Sequence, residues 1–377
     1  VPEYGLEKEK EQKEADKLAE YKSTLTNDEL EELVKKTKEL KEYQDTPSSQ
    51  EDLEKIPMLE LSDIKREPAK DYNDVKSVDG IKIVHHNIFT NKIAYINMSF
   101  DTKCVPDELI PYMGLLGSTL SLMDTKNYTY PELTNEININ CGGLATGTAL
   151  YSDKVDFSKN TIVYEVKSKA LYEKVPFVLG MMEEIMYNTR FDDYKRLKEI
   201  IARIKSRLEA SLMGQGHSIA MLECCAQFSE SAYYSDILRG YKYYEFIKKL
   251  DEEFEQNKTQ IVDKLNKLVG YIFNKDNVIV SLTADDEGYD CFAKALSAKS
   301  CNIKDEHYNT AVRSFIPVNV KIGYTSASQV QYVARCGNFV KDGYKYTGAL
   351  KVLKVIFSYD YLWINVRVKG GAYGCMS

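Results

Sequence analysis

The chain has 377 residues, 44% of them hydrophobic and 28% charged, a soluble globular composition long enough for two or three domains. No run approaches the ~20 apolar residues of a membrane span. The net charge of −7, from 50 Lys+Arg against 57 Asp+Glu, comes without a basic stripe and argues against a nucleic-acid partner, which would need clustered cations to neutralise phosphates. Residues 1–70 hold 20 Asp+Glu and 13 Lys+Arg and so carry the whole imbalance. Eight cysteines (Cys104, Cys141, Cys224, Cys225, Cys291, Cys301, Cys336, Cys375) are scattered without any C-x-x-C pair. With no secretory leader, that usage fits a reducing interior, and a cytoplasmic location is expected; the start at Val1 rather than Met leaves open an address removed upstream.

From Leu6 to Tyr43 the sequence is charged and poor in Gly, with Leu18, Ala19, Leu30, Leu33, Val34 and Leu40 at helical spacing. Two helices are expected, forming a hairpin, the second opened by a capping box in Thr26-Asn27-Asp28-Glu29. A solvated charged arm is the alternative. Residues 46–79, punctuated by Pro47, Pro57 and Pro68, forbid a continuous helix and read as an extended connector. Gly80–His86 and Lys92–Asp101 are rich in β-branched and aromatic residues and read as a β-hairpin. An apolar helix (Asp107–Met123), a polar helix (Tyr130–Asn140) and strands at Leu144–Leu150 and Thr161–Val166 follow. A helical series (Ala170–Asn188, Asp192–Ala210, His217–Leu238), a strand at Asn277–Thr283 and a helix near Tyr289–Leu296 complete an α+β domain over 80–300. Beyond Cys301 the pattern restarts, with a strand at Val330–Cys336 and an apolar helix at Gly348–Tyr361. The chain then stops at Ser377 with a second α+β domain begun, so it reads as part of a longer protein.

Chemistry-bearing motifs are few. The histidines are His85, His86, His217 and His307, and no H-x-x-x-H, H-x-x-E-H or H-E-x-x-H offers two imidazoles on one helix face. Neighbours His85 and His86 point to opposite faces of a strand and read as structural. Cys224-Cys225, in an apolar helix, reads as core rather than as a redox pair, and Gly214-Gln-Gly-His217 is too short to carry weight. Arg367-Val-Lys-Gly-Gly-Ala-Tyr373 admits two readings. In one, Gly370 and Gly371 end a helix. In the other, they let an extended peptide approach while Arg367 and Tyr373 donate to its carbonyl oxygens.

Three stretches resemble the C-terminal half of the presequence protease branch of the insulinase (pitrilysin) family of zinc metallopeptidases, which also includes falcilysin. They are the charged helices with Thr46-Pro-Ser-Ser-Gln through Ile64, the apolar helix running into Leu120–Tyr130, and Leu362–Gly374. The resemblance implies a clam shell of two halves joined by a helical hairpin and closed around an unfolded peptide. It places zinc in an N-terminal half, on an inverted H-x-x-E-H. The equivalent helix in this chain reads Pro111-Tyr-Met-Gly-Leu-Leu116, with Tyr112 and Leu116 in place of the two histidines and Leu115 in place of the glutamate, so no metal is expected here. It also implies that Tyr373 contacts the scissile carbonyl and Arg367 a neighbouring one, with Gly370, Gly371 and Ala372 lining the substrate wall.

The expected architecture is therefore α+β: a helical hairpin linker (1–45), an extended connector (46–79), an insulinase-type domain without its zinc motif (80–300) and the start of a second (301–377). The expected role is that of the substrate-enclosing, non-zinc half of a zinc metalloendopeptidase acting on unstructured peptides, with an N-terminal catalytic half as partner and neither nucleic acid nor membrane. The alternative is a scaffold that reuses the fold to bind a partner through its acidic hairpin.

Overall fold

A computed structural model describes residues 5–67, 72–156, 159–325 and 330–377, excluding the side chains of Glu7 and Cys301. The chain divides into two units, Val1–Lys70 and Asp71–Ser377.

In the first unit, α1 (Leu6–Thr24), α2 (Asn27–Asp45) and the short α3 (Gln50–Glu54) follow one another. The expected capping box is present: the Glu29 amide donates to Thr26 Oγ1 at 3.3 Å and the Thr26 amide to Glu29 Oε2 at 2.8 Å. The two helices do not form a packed hairpin, because no residue of α2 is buried and Leu18 of α1 is 62% exposed. They rest instead on local support such as the Lys13–Glu9 and Lys36–Glu32 pairs one turn apart, at 2.6 and 2.8 Å. The connector is less extended than expected, since Ser49 caps α3 through the Asp52 amide. Pro68 lies outside the described residues.

The second unit is built on one sheet in the order β1-β2-β6-β3-β5-β4, with β2 and β6 parallel and every other pair antiparallel. The strands are β1 (Asp74–Val78), β2 (Ile81–Asn87), β3 (Ile93–Asp101), β4 (Leu144–Ser152), β5 (Asn160–Leu171) and β6 (Val278–Ala284). The expected hairpin of β2 with β3 does not form, because β6 lies between them. The hairpin partner of β2 is β1, which starts the sheet inside the supposed connector. Asp79 and Gly80, at φ 49° and 83°, make the tight turn between them, and two consecutive positive φ values are what a two-residue turn between right-twisted strands requires.

Between β3 and β4 come α4 (Ile110–Thr119) and α5 (Tyr130–Asn140); between β5 and β6 come α6 (Val175–Tyr187), α7 (Tyr194–Gly214), α8 (Gly216–Ala226), α9 (Glu230–Arg239), α10 (Tyr241–Glu252) and α11 (Phe254–Ile272). The single helix expected over His217–Leu238 is thus two, broken where Ser229 caps α9. Helix α12 (Asp286–Ser297) packs back on β6. Burial alternates along β2 and β6, which place Ile81, Ile83, Val280 and Leu282 in the core. Phe273 sits at the centre of that core, edge-on to Phe100, Tyr164 and Tyr187 at centroid distances of 5.1, 5.5 and 6.1 Å.

After β6 and α12, no described residue of 305–377 belongs to a strand. Val330–Cys336 alternates as a strand should, yet none of its residues belongs to a strand, because alternation alone supplies no second edge to accept its hydrogen bonds. The expected apolar helix is present as α13 (Ala349–Ile356) and continues as a π-helix through Phe357–Val368, past the expected end at Tyr361.

Replacing Phe273 with alanine should cost about 3–5 kcal/mol, read as a lowered urea midpoint at unchanged slope.

Candidate functional site

The Arg367–Tyr373 segment lies at the end of the C-terminal helix. The Lys369 amide donates to Ile364 O at 3.0 Å, five residues back, which is the wider hydrogen bond of a π turn. The helix then closes by two nested bonds, Gly371 N–H to Arg367 O at 2.9 Å and Ala372 N–H to Val366 O at 3.1 Å, with Gly371 left-handed at φ 72°. A Cβ on Gly370 would stand 2.6 Å from Val366 O. Both glycines are therefore accounted for by the chain reversal.

That reversal gathers Arg367, Gly370, Gly371, Ala372 and Tyr373 at one helix terminus. The Arg367 guanidinium lies 4.0 Å from the Trp363 ring centroid, one turn back, and has no carboxylate partner among the described residues. Tyr373 is 94% exposed. The two side chains do not bond to each other, so a guanidinium and a phenol are both free to donate outward, which is the chemistry that carbonyl oxygens accept.

Helix α4 differs in its chemistry. Tyr112, Leu115 and Leu116 are all buried. The Tyr112 ring meets Phe246 edge-on at 4.8 Å, and its hydroxyl accepts from Lys264 Nζ at 3.3 Å. Two aliphatic side chains and a phenol beside an ammonium do not fit zinc, which takes imidazole, thiolate or carboxylate. Among the described residues, no three His, Cys, Asp or Glu gather where they could hold a metal. His85 is buried and bonds Ala284 O at 2.9 Å through Nε2, while its neighbour His86 bonds Tyr72 O and Ser281 Oγ at 2.9 and 3.0 Å. Each histidine is thus held in place by its own partners. Cys224 and Cys225 are half-buried rather than core, and Cys225 Sγ lies 3.3 Å from Cys336 Sγ, a contact across 111 residues that sequence spacing could not show. Burial first, and Cys336 second, push the Cys224 thiol above its ordinary range.

A second cluster also escapes sequence reasoning. Glu223 of α8 and Asp236 of α9, 7% and 1% exposed, face each other beside Lys242 of α10, whose Nζ is 3.3 Å from Asp236 Oδ2. The Lys242 amide also donates to Asp236 Oδ1 at 3.2 Å. Burial, and then the charge of Asp236, push Glu223 up to about 7. The sequence signal was a single acid in each of two apolar helical faces, with nothing to pair them.

Comparison with known proteins bears on both regions. Residues 1–250 match the family described as Peptidase M16 (subfamily C) associated, and residues 324–377 match the PreP C-terminal domain. The chain belongs to the first of these families, in keeping with the presequence-protease resemblance read from its motifs. It is 38% identical over 381 residues to Protein HypA of Clostridium perfringens, covering all of this chain and 38% of that protein. It is 29% identical over 377 residues to presequence protease 1, chloroplastic/mitochondrial, of Arabidopsis thaliana, covering 99% of this chain and 34% of that protein. The chain thus spans little more than a third of the curated relatives it matches. Among solved structures, a peptidase M16 inactive domain from Pseudomonas fluorescens overlays with a TM-score of 0.42 at 15% identity, covering 67% of this chain and 54% of that one. No described helix is long and apolar enough to cross a membrane.

The carboxyl pair gives a pH test. Because folding raises the Glu223 pKa above its ordinary 4.5, the stability this group contributes is complete below about 4.5 and is lost as pH rises through about 7. Glu223→Gln keeps the uncharged form at every pH. Its melting temperature should match that of the unaltered protein near pH 4 and exceed it at pH 8, by the equivalent of about 2 kcal/mol.

Proposed function

We propose that this chain, as a member of that family, is the substrate-enclosing, non-zinc half of a zinc metalloendopeptidase that degrades unstructured peptides inside a closed two-half chamber. The observation that carries this reading is the contrast between two helices. The α4 face that a zinc site would occupy is filled by core packing, while the C-terminal helix ends in an exposed phenol and a guanidinium that has no carboxylate partner among the described residues. In this reading Tyr373 donates to the scissile carbonyl, Arg367 donates to a neighbouring peptide carbonyl, and the turn at Gly370, Gly371 and Ala372 forms the adjoining wall. A donor placed where negative charge grows on the carbonyl oxygen stabilises the transition state more than the bound peptide. Zinc is assigned to the N-terminal half, which would be this chain's partner.

The same proposal carries the domain plan of linker (1–45), connector (46–79, whose last residues form β1 of the sheet) and two insulinase-type domains meeting at 300/301, and a cytoplasmic location. It involves neither nucleic acid nor membrane.

Peptide cleavage by the full-length protein, with and without a zinc chelator, tests the reading. Cleavage should vanish with the chelator and be absent from this chain alone, and Tyr373→Phe should lower kcat by about 10²–10³. Because Tyr373 is 94% exposed, the same substitution should leave the melting temperature unchanged, separating lost chemistry from lost structure. Cleavage by the chain alone would overturn the division of labour, and no cleavage by the full-length protein would favour a scaffold.

A further inference from the structure

A cavity of about 280 Å³ opens between α7, α8 and the junction of α9 with α10. It lies just under the ~300 Å³ at which small-molecule pockets begin, so it suits one residue-sized group. Its two sides differ in character. Leu208 and Leu212 of α7 and Leu222 of α8 supply an apolar floor, while Gln215, Ser218 and Arg239 supply a polar rim. Arg239 stands in the last turn of α9 and is exposed. Its one bond is a long contact to Ser235 Oγ at 3.5 Å, and it has no carboxylate partner among the described residues. Among the described residues that line the cavity, Arg239 is the one charged side chain.

We propose that this cavity is a subsite for the C-terminal residue of a bound peptide, taking an apolar side chain on its floor and the α-carboxylate on Arg239.

This rests on the peptide-chamber reading and adds to it a place where one end of the substrate is held. Charge selects the occupant. A peptide's N-terminal ammonium would be repelled by Arg239, and an internal residue with the same side chain would bring no anion. Only a terminal residue combines an apolar group with a carboxylate on one carbon, matching a cavity whose lining holds both leucines and Arg239. Of the carboxylates nearby, Asp236, beside Glu223, has its charge offset by the Lys242 ammonium that stands against it, while Glu209 accepts from the hydroxyl of the lining Tyr244 at 3.2 Å.

The test uses the full-length protein with a zinc chelator present, so that peptides bind without being cut. Two fluorescently labelled peptides of one sequence, ending in leucine as the free acid or as the carboxamide, are compared by anisotropy. The acid should bind about tenfold more tightly, as one charge-assisted contact would give. Arg239→Gln should weaken the acid by that factor and leave the amide unchanged, abolishing the difference. Since Arg239 is exposed, the variant is expected to fold, which its melting curve checks. Equal binding of acid and amide, or an equal loss of both in Arg239→Gln, would overturn the subsite while leaving the chamber standing. Binding of neither peptide would overturn the chamber and the subsite together.

Discussion

The parallel pairing of β2 with β6 holds the second unit together. Six registered pairs, from Lys82 with Ile279 to Asn87 with Ala284, join the start of the sheet to its end, and His85 fastens the top of the ladder. Its buried Nε2–H donates to Ala284 O at 2.9 Å, which leaves Nδ1 to accept from Lys76 Nζ at 3.1 Å, and that ammonium in turn lies 3.7 Å from the centroid of the Tyr289 ring. One imidazole thus ties β1, β2, β6 and α12 into a single corner. Everything between β3 and α11 is an excursion closed by this contact, which spans 199 residues. Pairing at that separation forms late, because loop-closure entropy must be met before the contact rewards it. Helices α4–α11 must therefore be sustained by their own packing before the sheet is complete.

That long-range closure is also where sequence reading and structure part. Strand and helix identities were largely legible over 81–238 and 277–297, because alternation in Ile81–His85 and Val278–Ala284 and the helical spacing elsewhere report local burial, whereas α10 and α11 were not read. The partner of each strand was not. Adjacent strands most often pair, which suggested β2 with β3, and only knowledge that β6 inserts between them corrects it. Asp79-Gly80 was the available local signal: it is among the strongest short hairpin turns, and it pointed upstream to β1. The failure at Val330–Cys336 has the same origin. Alternation reports which residues would share a face, whereas a strand exists only where another edge accepts its hydrogen bonds.

The candidate site was legible to the extent that it is contiguous. Arg367, Gly370, Gly371, Ala372 and Tyr373 fall within seven residues, and one helix terminus brings them together. Glu223 with Asp236, Cys225 with Cys336 and the cavity beneath Arg239 are assembled from segments far apart in the chain, and no spacing rule connects them. The cavity is a further step removed, since it is defined by the room left between α7, α8 and α10 rather than by any residue type.

Contiguity also limits what the glycines can reveal. The nested bonds from Gly371 and Ala372 to Arg367 and Val366 need a left-handed residue at 371, and Val366 O leaves no space for a Cβ at 370. Any side chain at either position disturbs the reversal that sets where Arg367 and Tyr373 emerge. A loss of activity on changing a glycine would follow equally from a substrate wall and from a misdirected pair of donors. Arg367 is partly implicated in structure as well, through its stacking on Trp363. Tyr373 is the exception: its side chain stands out in solvent, so whatever depends on its hydroxyl depends on something that approaches from outside the fold.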